Sequence, residues 1–202
     1  MITIYIDGLC EPVNPGGVAT YSFVVFRNGE KIYQEARVVG SGEGMSNNVA
    51  EYAALVSALK WLAKKGWQDE EIKFFSDSQL LVNQMSGLWE CHGGYYEKTR
   101  LEALELLNDF PRVEFKWIPR EENAIADELS RRAYEEWCVL NRQPVKYHDQ
   151  REKTSVPTDR GCWVCKWGRV TGPHIGCFYG GKYHGWIQKK EAWRGCRNFE
   201  SR

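Results

Sequence analysis

Asn28-Gly29 falls between two runs, 19–27 and 31–40, that are rich in β-branched and aromatic residues. Asn-Gly is the strongest short hairpin signal, because both positions of the tight turn need a positive φ. An earlier run, 2–7, alternates Ile2, Ile4 and Ile6 with Thr3, Tyr5 and Asp7 at strand period. The chain therefore opens with three antiparallel strands. Then the period changes. Residues 49–65 predict a long helix stopped by Gly66, and 72–76 predict a short buried strand. Asp77-Ser78 opens a helix over SQLLVNQMSG, and 95–109 form another, closed by Phe110-Pro111. Residues 113–118 read as a strand and 122–137 as a last helix. Three strands in a meander followed by alternating helix and strand predict an α/β domain, a five-stranded mixed sheet with helices on both faces.

The chain of 202 residues is long enough for such a domain over 1–137 plus a small module. No run approaches the roughly 18 apolar residues of a membrane span. The N-terminal MITIYIDG lacks a basic segment and a cleavage site, so a cytoplasmic location and no membrane partner are expected. The formal net charge of zero hides an asymmetry: 14 Lys+Arg against 22 Asp+Glu in residues 1–137, and 13 against 5 in 138–202. An acidic body with a basic tail predicts an anionic partner that the tail helps to hold. Residues 138–160, polar and patternless with two prolines, read as a linker to the module at 161–202.

Four carboxylates stand at strand ends and helix starts. Glu51 lies on the stripe of Leu55, Ala58 and Leu62 that should face the sheet, where a carboxylate is costly without compensation. Asp7 closes the first strand, Asp77 follows the fourth, and Asp127 lies near the start of the last helix. Each has a plain alternative: a turn for Asp7, the helix dipole for Glu51 and Asp127, a helix cap for Asp77. With the first and fourth strands as neighbours the four converge, and such a group repels itself unless cations bind. Hard oxygen donors suit Mg²⁺ or Mn²⁺.

The strings IDGLC…NPGG, SNNVAEYAAL, SDSQLLVNQ and WIPREENAIADELSRRA resemble, in order and spacing, the active-site motifs of type 1 ribonuclease H over about residues 1–137. The form looks most like the archaeal and some bacterial members. The resemblance implies a ribonuclease H-like fold and an endonuclease that cuts the RNA strand of an RNA–DNA hybrid with two divalent cations, leaving 5′-phosphate and 3′-hydroxyl ends. Asp7, Glu51, Asp77 and Asp127 would hold the metals. Cys10, Asn14, Asn47, Asn48 and Gln79 would meet the minor groove and sugars, and Ser46 a DNA phosphate. Arg120 stands where many relatives carry a His, with pairing to Glu121 or Glu122 as its plain alternative. The basic protrusion of some relatives is absent: the region reads GLWECHGGYYEK. A nuclease-dead binding protein and a nuclease for double-stranded RNA are the competing readings, and a monomer is expected.

The module contains Cys162, Cys165, Cys177 and Cys196 in a C-x2-C-x11-C-x18-C pattern. So short a segment needs a staple, and four cysteines with a leading CxxC fit a tetrahedral Zn²⁺. An iron–sulfur cluster would use the same ligands, and unbound thiols are the plain alternative. Trp163, Trp167, Trp186 and Trp193 are interleaved with Lys166, Arg169, Lys189, Lys190 and Arg194, a composition suited to stacking and phosphate contact. The tail is expected to replace the missing protrusion as the handle for hybrid.

Overall fold

The computed structural model describes residues 1–147 and, beyond them, three short strands at 168–171, 174–177 and 185–188. β1 (Ile2–Glu11), β2 (Val18–Arg27) and β3 (Glu30–Ser41) are followed by α1 (Asn47–Lys65), β4 (Ile72–Ser76), α2 (Gln79–Met85) and α3 (Glu97–Leu107). β5 (Val113–Trp117), a 3-10 turn (Arg120–Asn123) and α4 (Ala124–Leu140) complete this part. The sheet has five strands in the order β3-β2-β1-β4-β5. The β1–β2 and β2–β3 pairs are antiparallel, and β1–β4 and β4–β5 are parallel. Asn28 at φ 54° and Gly29 at φ 86° make the tight turn that the dipeptide predicts.

Alternation along the strands separates two faces. Ile2, Ile4 and Ile6 join Phe23 and Val25 in one core with Tyr52, Leu55, Leu59 and Leu62 of α1. Burying each such side chain contributes about 1.5–3 kcal/mol. α4 packs against β1, β2 and β3. It docks partly through hydroxyls: Thr20 Oγ1 donates to the Ser130 carbonyl at 2.9 Å, and Ser22 Oγ to the Ala126 carbonyl at 2.6 Å. Ala126, Ser130 and Ala133 are small and buried, so the helix backbone comes close to the sheet.

Two boundaries differ from expectation. β1 does not end at Asp7: it pairs with β2 as far as Glu11↔Val18. Gly8 is a point of close approach rather than a turn, since a Cβ there would lie 2.3 Å from the Glu51 backbone nitrogen. The last helix runs past 137 to Leu140, and the chain then reverses through Arg142 at φ 52°. Gln143 N–H bonds to the Cys138 carbonyl at 2.8 Å, and Tyr134 Oη donates to the Lys146 carbonyl at 2.5 Å. Of the residues expected as linker, 138–140 extend α4 and 141–147 pack on it, and the first compact unit is Met1–His148.

The second unit is Asp149–Arg202. Its described strands β6 (Gly168–Thr171), β7 (His174–Cys177) and β8 (Gly185–Gln188) form an antiparallel sheet in the order β6-β7-β8. Of the expected zinc or iron–sulfur ligands, Cys162, Cys165 and Cys196 lie outside the described residues, and Cys177 is described only as the last position of β7.

Candidate active site

Parallel pairing of β1 and β4 reaches Tyr5↔Phe75, and β4 stops at Ser76 while β1 continues. Asp7 and Asp77 lie just beyond the paired stretch. Ser78, not Asp77, caps α2: its side chain accepts the Leu81 N–H at 3.3 Å. The capping alternative for Asp77 is thereby removed. Glu51 is the fifth residue of α1, beyond its first turn, and its apolar stripe holds it against the sheet at 7% exposure. Asp7, Glu51 and Asp77 each bring a carboxylate oxygen within 4.8 Å of the other two.

Burial is the main force on Asp7, which is 4% exposed: it pushes the carboxyl up to about 7. A hydrogen bond from Ser130 Oγ opposes that rise, and the charges of Asp77 and Asp127 add to it. Burial, then repulsion from Asp7 and Asp77, drives Glu51 well above the usual carboxylate range, although the Gly8 N–H and the Ser76 hydroxyl draw it partly back. Glu51 Oε2 is buried with no hydrogen-bond partner. Asp77 Oδ1 accepts from Asn123 Nδ2 at 2.9 Å. Crowded acids, two of them buried, with one oxygen unanswered, are unfavourable as they stand. A divalent cation satisfies all three, and the all-oxygen donor set fits Mg²⁺ or Mn²⁺.

Asp127 stands outside this group. Its Oδ1 takes Arg120 Nη2 at 2.5 Å and its Oδ2 takes Arg131 Nε at 2.7 Å. Burial would raise this carboxyl, but hydrogen bonds from Arg131 and Arg120 outweigh it and hold it below the usual value. Arg120 therefore pairs with Asp127 rather than with Glu121 or Glu122.

The other expected contacts divide. Asn14, Asn47 and Gln79 are exposed and Asn48 is half-buried. Asn14 Oδ1 accepts the Asn47 N–H at 3.0 Å, tying the β1–β2 loop to the start of α1. Ser46 caps α1 by accepting the Val49 N–H at 3.3 Å, so Asn47 and Asn48 are free of that task. Cys10 is 2% exposed, and its thiol donates to the Val13 carbonyl at 3.3 Å.

Asn123 and Ser130 went unnoticed in the sequence. Asn123 is 1% exposed, and its amide also donates to the Ile6 carbonyl at 2.9 Å, so it binds β1 and Asp77 together. The signal for Ser130 was available: it sits three residues after Asp127, on the same small-residue face as Ala126 and Ala133.

Residues 16–133 match the family described as reverse transcriptase-like. The ribonuclease HI of Halobacterium salinarum is 33% identical over 132 residues, covering 65% of this chain and 63% of that relative's length. Among solved structures, an RNase H1 recovered from compost, in complex with an RNA/DNA hybrid, is 31% identical. It covers 67% of this chain and 98% of its own, with a TM-score of 0.62. The N-terminal RNase H domain of a Mycobacterium tuberculosis protein is 31% identical, covers 65% and 97%, and has a TM-score of 0.59. The sheet order, the acidic group at its centre and these likenesses agree, and the chain belongs to the type 1 ribonuclease H family.

Proposed function

We propose that this chain is a metal-dependent endoribonuclease that hydrolyses the RNA strand of RNA–DNA hybrids, leaving 5′-phosphate and 3′-hydroxyl ends. The observation that carries the reading is the convergence of Asp7, Glu51 and Asp77, with Glu51 Oε2 buried and unpartnered. The compost enzyme, solved with an RNA/DNA hybrid, supports the choice of substrate. Asp7, Glu51, Asp77 and Asp127 are the residues that would hold a pair of Mg²⁺ or Mn²⁺ ions. Such a pair supplies charge stabilisation for both the attacking and the leaving oxygen of an in-line displacement.

The chain's own residues do the positioning. Ser130 and Asn123 fix the directions of Asp7 and Asp77 from α4 and the turn before it. Asn14, Asn47, Asn48 and Gln79 would read the minor groove, where the 2′-hydroxyl distinguishes RNA from DNA. Ser46, beside them, would meet a phosphate. Arg120 offers a permanent positive charge to the phosphate being cut or released. Because the first unit is acidic, affinity for hybrid is assigned to the basic residues that follow it.

Incubation with labelled hybrid, duplex RNA and duplex DNA, in Mg²⁺ and in Mn²⁺, tests this directly. Cleavage of the RNA strand of hybrid is expected. Absence of hybrid cleavage with both metals overturns the reading, and preferential cutting of duplex RNA replaces the substrate.

A further inference from the structure

Asp127, Arg131 and Glu135 are spaced four residues apart on α4 and so share one face. Tyr147 joins the lower two. The Arg131 guanidinium lies over its ring, 5.3 Å from the centroid, and its hydroxyl donates to Glu135 Oε1 at 2.6 Å. Tyr134 meets the same ring edge-on at 5.5 Å and 63°, while its own hydroxyl donates to the Lys146 carbonyl at 2.5 Å. The segment 141–147 is thus fastened along α4 and ends beneath Arg131.

The two guanidiniums on Asp127 are not equivalent. Arg131 comes from the same helix, has a 37% exposed side chain, and is stacked on Tyr147. Arg120 comes from the 3-10 turn and is 49% exposed. A cation approaching Asp127 competes with these two guanidiniums, and the more weakly held of them is the one it would displace.

We propose that Arg131 is a positioning residue for Asp127, and that the strap 141–147, through Tyr147, holds it there. Arg131 keeps Oδ2, which sets the direction of the carboxylate, and leaves Oδ1, now held by Arg120, as the oxygen that would face a cation. This inference rests on the reading of Asp127 as the fourth metal-holding carboxylate. Outer residues of this kind change metal affinity or activity by about tenfold or more when removed.

The experiment uses the full chain and three variants that leave the charge of α4 unaltered: Tyr147→Leu, Tyr147→Phe and Arg131→Lys. On hybrid at saturating Mg²⁺, Tyr147→Leu is expected to lower kcat by about threefold to tenfold with KM unchanged. Arg131→Lys, which cannot reproduce the Nε geometry, should do the same or more. Tyr147→Phe keeps the ring and should recover kcat to within about twofold of the parent. A second readout needs no catalysis. With Mg²⁺ alone added, the guanidinium NMR signals of Arg120 should shift while the Arg131 Nε–H signal stays protected, and Tyr147→Leu should abolish that protection. Tyr147→Leu that lowers only Tm overturns the proposal, as does Mg²⁺ displacing Arg131 as readily as Arg120. A parent chain that fails to cut hybrid but shows the NMR pattern rejects the proposed function and keeps the strap.

Discussion

The Asn123 side-chain amide donates to Asp77 Oδ1 at 2.9 Å while also donating to the Ile6 carbonyl at 2.9 Å. One buried nitrogen therefore links the acid after β4 to the backbone immediately before Asp7. Replacing it by Ala leaves that carbonyl without its partner and lets Asp77 turn. Asn123→Ala should destabilise the fold by about 1–3 kcal/mol. It should also lower kcat on hybrid by about 10- to 100-fold. Denaturant unfolding and steady-state kinetics check the two effects, and a loss of stability with kcat untouched would confine Asn123 to structure.

Asp7 makes the stability of the metal-free protein depend on pH. Its folded carboxyl ionises near about 7, against an ordinary value of 3.8. Between these values the folded state keeps a proton that the unfolded state has lost. Stability from this group is therefore highest below about 4, falls as pH rises towards 7, and levels off above it. The decline should be about 2–4 kcal/mol, seen as a lower denaturant midpoint at pH 8 than at pH 5 in the presence of a chelator. Added Mg²⁺ should restore the midpoint at pH 8, and its affinity should rise with pH because binding expels the proton. A midpoint that does not change with pH contradicts this.

Asp7→Asn separates the chemistry from the fold. An amide oxygen can still accept from Ser130, and position 7 no longer holds a buried charge. The variant should lose hybrid cleavage while being more stable than the parent at pH 8 without metal, and its midpoint should fall less between pH 5 and 8, with Glu51 as the raised acid that remains. Retained activity would remove Asp7 from the centre.

Much of this was legible in the sequence because the signals are local. Alternation in 2–7 and Asn28-Gly29 place β1 to β3, and the stripe through Leu55, Ala58 and Leu62 places Glu51 against the sheet. Asp77 was ambiguous because Asp and Ser are both good caps, and only the Ser78–Leu81 hydrogen bond assigns the task to Ser78. Asn123 was illegible for a different reason: its partners are 117 and 46 residues away, and no periodicity points to them. Gly8 beside Asp7 imitated a turn, and the need for a bare Cα against Glu51 shows only once α1 is in place. The strap after α4 has a polar, proline-containing composition, which is also that of a linker.

The charge asymmetry gives a test of how hybrid is gripped. Residues 138–202 have 13 Lys+Arg against 5 Asp+Glu, and the first unit ends at His148. A chain ending there keeps the strap with Arg142 and Lys146, and loses 11 of those 13 basic residues together with all five acids. Its KM for hybrid at moderate salt should rise by about tenfold or more, with kcat preserved and a shallower dependence of affinity on salt. An unchanged KM would assign the grip to the first unit.

As a permanently charged partner for the phosphate, Arg120 would set the shape of the pH–rate profile. Its guanidinium pairs with Asp127 Oδ1 and remains charged throughout the working range. The parent profile should therefore show the rise from the buried acids and no imidazole-like limb above it. Arg120→His replaces a permanent charge with a group of ordinary pKa about 6.5. At pH 6 the imidazolium can still meet the phosphate, so kcat should fall by no more than about threefold. At pH 8.5 the neutral ring no longer supplies the charge, and the deficit should widen to about tenfold. Arg120→Ala should show that larger deficit at both pH values. If Arg120→His and Arg120→Ala have parallel profiles, the charge at this position plays no part in turnover, and Arg120 serves only to hold Asp127.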